Sequence, residues 1–162
     1  MANLLRLTLL AAVAGMMTSC AVAPVSTPNA ALKRGRIEKV RTTAYTHSEG
    51  SGGKNAIGQR LASGAVRSAA SDWSRYPLGT KFRVVATGEY YIIDDYGGAL
   101  VGTNTIDLYK TSRLEMRRWG VRHVDIEVLQ WGSDAESLKV LRPRKGTRLA
   151  RRMIASLENK KG

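Results

Sequence analysis

"IIDDYGGALVGTNTID", residues 92–107, decides how the rest of this chain is read. Two isoleucines open a strand-like run, two adjacent carboxylates and a Gly-Gly pair follow, and Asp107 stands twelve residues after Asp95. Acids crowded into so apolar a segment are unexpected where 26 Lys and Arg outnumber 13 Asp and Glu. Working outward, "KFRVVA" and "EYYIID" flank Thr87-Gly88 and predict a hairpin. "TIDLY" (105–109) reads as another strand, and "HVDIEVLQW" (123–131) alternates apolar and charged side chains as a last one. Upstream, "IEKVRTTAYT" (37–46) is β-branched and alternating, and "GAVRSAAS" (64–71) is a short strand of small residues. A glycine loop (47–55) and a tight turn through Pro77 and Gly79 connect these runs. Ser112 and Glu115 have capping-box spacing, and Gly120 can end the single helix they start. Six or so short strands with one helix predict an all-β, six-stranded closed barrel rather than an open sheet. No internal repeat is visible in the sequence.

The 162 residues suit one domain with tails. A short basic start is followed by the uncharged "LTLLAAVAGMM" (7–17), too short to span a bilayer. The only cysteine, Cys20, closes "MTSC", so residues 1–20 resemble a bacterial lipoprotein signal with Cys20 as the lipidated residue. Cleavage after Ala23 or an uncleaved anchor are the alternatives. Export with a lipid at Cys20 implies the periplasmic face of the outer membrane. Residues 21–36 carry Pro24 and Pro28 among small polar residues and read as a tether. The folded domain is expected over 37–133, with a partly helical basic tail over 134–162.

A formal charge of +13 asks for a polyanionic neighbour: nucleic acid, anionic lipid or an acidic wall polymer. Export makes nucleic acid an unfavoured partner. In the tail, Leu149, Met153, Ile154 and Leu157 fall on one helical face. Residues 139–161 therefore read either as an interfacial helix touching an anionic surface, as a solvated helix packed loosely on the barrel, or as a frayed tail.

Several linked motifs now resemble one family. "TAYT" (43–46), "SAASDWSRYPLGTKFRV" (68–84), "IIDDYGGALVGTNTIDLYK" (92–110) and "WGVRHVDIEVLQWG" (119–132) are similar, in order and spacing, to the three-aspartate (3D) domain. That domain is the catalytic barrel of membrane-bound lytic transglycosylase A and of stationary-phase survival proteins. Asp72 with Pro77-Leu78-Gly79-Thr80, then Asp95 with Gly97-Gly98-Ala99-Leu100 and Gly102, then Asp107-Leu108-Tyr109 carry the match. The resemblance implies a double-psi β-barrel and cleavage of the MurNAc-β-1,4-GlcNAc bond of peptidoglycan glycan strands to a 1,6-anhydro end. It also implies that Asp107 is the acid/base. Asn55 stands where the family has a threonine, Asp94 is an additional acid, and the second domain of membrane-bound lytic transglycosylase A is missing.

The chemistry suits these residues. The C6 hydroxyl of the muramyl ring is a tethered nucleophile of high effective molarity. One carboxyl can then protonate the leaving oxygen and afterwards take the hydroxyl's proton. Such an acid must start protonated, which burial and a neighbouring anion both favour. Asp95 and Asp72 are expected to approach Asp107 and supply that anion. Gly97 and Gly98 would let backbone amides reach the sugar. Tyr45, Trp73 and Tyr96 are candidate sugar contacts, with core packing the competing role for Tyr45. No cofactor is required and no metal site is expected, although three clustered aspartates could instead hold Ca²⁺. His47 and His123 lack ligand spacing and read as surface histidines. A non-catalytic, expansin-like wall-binding barrel and a hydrolase using Asp72 or Asp94 as base stay open.

Overall fold

The computed structural model describes residues 35–49 and 52–160. The signal segment, Cys20 and nearly all of the tether lie outside the described residues. Six strands close into a barrel: β1 (Gly35–Tyr45), β2 (Val66–Ala70), β3 (Lys81–Val84), β4 (Tyr90–Asp95), β5 (Thr105–Tyr109) and β6 (Arg122–Gln130), in the order β1-β5-β2-β4-β3-β6. β1–β5 and β2–β4 are parallel, and the other four pairs are antiparallel. Exchanging β1 with β4, β2 with β5 and β3 with β6 maps these pairings onto themselves. The all-β double-psi architecture expected from the sequence is borne out, and the barrel has a topological two-fold that no sequence repeat announces.

The core follows from strand alternation. Val124, Ile126 and Val128 of β6 point inward at every second position, meeting Phe82, Val84, Tyr91, Ile93, Ile106 and Leu108. Phe82 stacks on Tyr91 with ring centres 5.6 Å apart. The hairpin at Thr87-Gly88 forms as predicted, Gly88 taking φ +72°. The predicted helix is α1 (Arg113–Trp119), and Ser112 Oγ accepts from Glu115 N. The return arm of its cap is displaced by one residue: Glu115 Oε2 accepts from Thr111 N and Thr111 Oγ1.

The tail departs from expectation. It folds into α2 (Asp134–Leu141) and α3 (Arg148–Asn159). Leu138, Leu141, Ala150, Met153 and Leu157 all join the hydrophobic core, the last three with no exposed surface. Leu78 N donates to Ser137 Oγ at 3.0 Å, tying α2 to the Pro77–Thr80 turn. Gly132 passes so close to the carbonyls of Leu78 and Pro77 that a side chain there would collide with backbone. The apolar face of α3 is the one the sequence marks, but the barrel assembly occupies it. The reading as an interfacial helix, or as a loose tail, is therefore corrected: the apolar face of α3 is packed on the core, and Arg148, Arg151 and Arg152 are among the residues left exposed.

Candidate active site

One transverse row of residues crosses four adjacent strands. Thr43 of β1 pairs with Asp107 of β5, Asp107 with Ala70 of β2, and Ala70 with Asp95 of β4. All four line a single cleft of about 560 Å³, whose rim includes Tyr45, Tyr96, Gly97 and Gly98. Ile106 and Leu108 point into the core from the same strand, so alternation turns Asp107 to the opposite, cleft-facing side. Asp95 and Asp107 sit two strand spacings apart, roughly 9–10 Å between Cα atoms. Only the Ala70 methyl lies between them in the row, which keeps the space open for a ligand.

A bulge explains the adjacent acids. Ala69 pairs with Ile93 but Ala70 pairs with Asp95, leaving Asp94 as the extra residue. Strict alternation from Tyr91 and Ile93, which point into the core, would turn Asp95 inward with them. The bulge instead lets Asp94 Oδ2 accept from Ser68 Oγ at 2.6 Å and from Asn55 Nδ2 at 2.9 Å, while Asp95 faces the cleft. Asp94 is 5 % exposed and away from the cleft lining, which removes it as a base for a water molecule there. Asn55 likewise acts on the protein: its Oδ1 accepts from Ile57 N and Gln59 N.

Two expected site residues are corrected. Asp72 does not join the other aspartates in the cleft. It is 3 % exposed, its Oδ1 accepts from Ser74 N and Ser74 Oγ, and its Oδ2 accepts from Gly102 N at 2.7 Å. It fixes the loop behind Gly97 and Gly98 and is a positioning residue. Asp72→Ala would strand a buried N–H and is expected to cost about 3 kcal/mol of stability. Thermal melting checks this, and the pH profile of any remaining activity is expected to stay unchanged. Trp73 is fully buried rather than in the groove. Its Nε1 donates to the Asp95 carbonyl at 2.8 Å, and its ring meets Tyr96 edge-on at 5.0 Å, so it orients both cleft residues from behind. With Asp72 withdrawn, the three-aspartate Ca²⁺ arrangement is absent. Among the described residues no group of three or more His, Cys, Asp or Glu is arranged to hold a metal.

Tyr45, Tyr96, Gly97 and Gly98 do line the cleft. The Tyr45 hydroxyl is buried yet has no hydrogen-bond partner. Burial, then the charges of Asp95, Asp94 and Asp107, push its pKa up, so it is a neutral phenol with a proton to donate. The tail also reaches this wall: the Arg144 guanidinium lies 6.0 Å from the Tyr96 ring centre, and Arg152 packs against Gly102, whose φ of +87° and missing side chain permit the approach.

Electrostatics set the two acids apart. Burial raises the pKa of Asp107, Glu49 adds to the rise, and the Thr43 hydroxyl, donating to Asp107 Oδ1 at 2.6 Å, works against it. Burial also lifts Asp95, which Asp94 and Asp107 push further, to about 6 despite the bond from Tyr96 N. The sequence expectation that Asp72 and Asp95 hold the proton on Asp107 by repulsion is thus revised. Burial leads at both acids, and the repulsion between neighbours is felt at Asp95. Thr43, Ala70, Arg41 and Glu49 also line the cleft and were not legible as site residues, because only the fold brings them there.

The family model "3D domain" matches residues 67–130. The "Putative cell wall shaping protein YabE" of Bacillus subtilis (strain 168) is 36% identical over 97 residues, 59% of this chain and 23% of that protein. This chain thus spans about a quarter of the length of that curated relative. The crystal structure of MltA from E. coli is 25% identical, with a TM-score of 0.37 over 52% of this chain and 29% of that one. With Asp95 and Asp107 set in the matched segment and the barrel closed around it, residues 67–130 of this chain are similar to the 3D domain.

Proposed function

We propose that this protein acts on peptidoglycan as a lytic transglycosylase, cleaving the MurNAc-β-1,4-GlcNAc bond to a 1,6-anhydro end. The observation that carries the reading is the half-buried Asp95–Asp107 pair facing one cleft across Ala70. Burial raises the pKa of Asp107 above that of an ordinary carboxyl, so Asp107 keeps its proton to higher pH. Asp107 delivers that proton to the glycosidic oxygen as the C1–O bond breaks. The C6 hydroxyl then closes on C1 and returns its proton to Asp107, so no water is consumed. Tyr45 offers its unused O–H to a sugar oxygen, and Gly97 and Gly98 allow close approach.

The cell wall context of the matched relative supports the substrate class. A hydrolase needs a second carboxylate to activate water. Asp72 is spent on backbone N–H groups and Asp94 is walled off, so neither serves as that base, and Asp95 is the second carboxylate of the cleft whose part the product analysis decides. Incubation of the full chain with purified sacculi, followed by mass spectrometry, is expected to release muropeptides with anhydro ends. Reducing ends would indicate hydrolysis, and retention without cleavage would indicate a binding barrel. Thr43→Val supplies a further check. Its hydroxyl favours ionised Asp107, so the variant is expected to move the alkaline limb of the pH–rate profile to higher pH. A limb that stays put would separate Thr43 from the chemistry.

A further inference from the structure

The cleft does not end at the acids. A second cavity of about 660 Å³ adjoins it, sharing His47, Gly53 and Leu61 with the first as lining residues. Charge separates along this groove. The acids Glu49, Asp95 and Asp107 line the first part with a single arginine, Arg41, whereas the second is lined by Lys54 and Arg60 and, among the described residues, by no acid. Both bases are exposed and stand opposite each other in an isolated antiparallel bridge. Their small hairpin is closed by Leu61 N donating to Gly53 O and Asn55 N donating to Gln59 O. Asn55 then bonds Asp94, the neighbour of Asp95 on β4. The two bases are therefore fixed to the strand that carries one of the cleft acids.

We infer that Lys54 and Arg60 form a subsite for the carboxylates of the peptide borne by the glycan strand. The inference rests on the proposed substrate. A sugar seated at Asp107 projects an acidic side branch, and the basic arm is the neighbouring surface of opposite charge. Exposed pairs of this kind are individually weak and screened by salt, so discrimination comes from two cations held in register. Binding decides it without turnover. In the Asp107→Asn background, soluble peptide-bearing strands are expected to bind about fivefold more tightly than the same strands with their carboxylates amidated. Raising the salt to 0.5 M or adding Lys54→Gln with Arg60→Gln should bring the ratio to about one. Lys54→Glu with Arg60→Glu should invert it. Equal binding of both strand forms at low salt, or a preference that survives the double substitution, would overturn the subsite. Failure to find anhydro ends with the preference intact would instead sink the lytic reading and leave this one standing.

Discussion

Asp107→Asn is expected to lower release of anhydro-muropeptides at least a thousandfold while leaving the protein folded. The amide keeps the shape and can still accept from Thr43 Oγ1, but it has no proton to exchange with the glycosidic oxygen. General acid–base catalysis contributes about 10²–10⁴-fold, and here one group serves both steps. Stability should move the other way. The folded pKa of Asp107 lies above its ordinary value, so keeping the ionised form buried opposes folding. That opposition is absent below the unfolded pKa and grows as the pH rises through the folded one. The variant is therefore expected to melt higher than wild type near pH 7.5 and alike near pH 3. Product analysis and calorimetry check the two halves. Loss of activity together with a lower melting temperature at pH 7.5 would mark Asp107 as a structural residue instead.

Deleting residues 134–160 is expected to abolish cooperative folding. Leu141, Met153 and Leu157 have no exposed surface, and Leu138 retains 3 %. Emptying one such site costs about 2–5 kcal/mol. Several together exceed the roughly 5–15 kcal/mol that holds a typical domain. The deletion would also release the Pro77–Thr80 turn from Ser137 and the Tyr96–Gly102 loop from Arg144 and Arg152. Circular dichroism during heating should show no transition. A surface-seeking tail would give the opposite outcome: an unchanged melt and weaker retention on anionic vesicles.

The strands were legible because their apolar residues alternate and their turns carry Gly, Pro and Thr-Gly. The two-fold of the barrel was not, since pairing depends on backbone and alternation, which the two halves satisfy with different residues. Within the site, Asp95, Asp107, Gly97, Gly98 and Tyr96 were legible from motif order. The bulge at Asp94 was not, because an irregular register leaves no mark on an acidic pair already read as a strand end. Asp72 was misread although its signal was present: an aspartate with a serine two residues on is a turn that caps its own backbone. Thr43 and Ala70 carry no chemical signal at all until the register sets them beside the acids. In the tail, charge density and the four apolar residues on one face left a surface helix and a helix on the barrel both open, and burial of that face decides for the barrel.

A carboxyl-carbon NMR titration of Asp95 and Asp107 tests the central claim most directly, that this cleft holds a proton toward neutral pH. The account predicts a midpoint for Asp95 near 6, moving down when Asp107→Asn removes the neighbouring charge. Midpoints near 4 for both carboxyls, with Asp95 indifferent to that substitution, would contradict it.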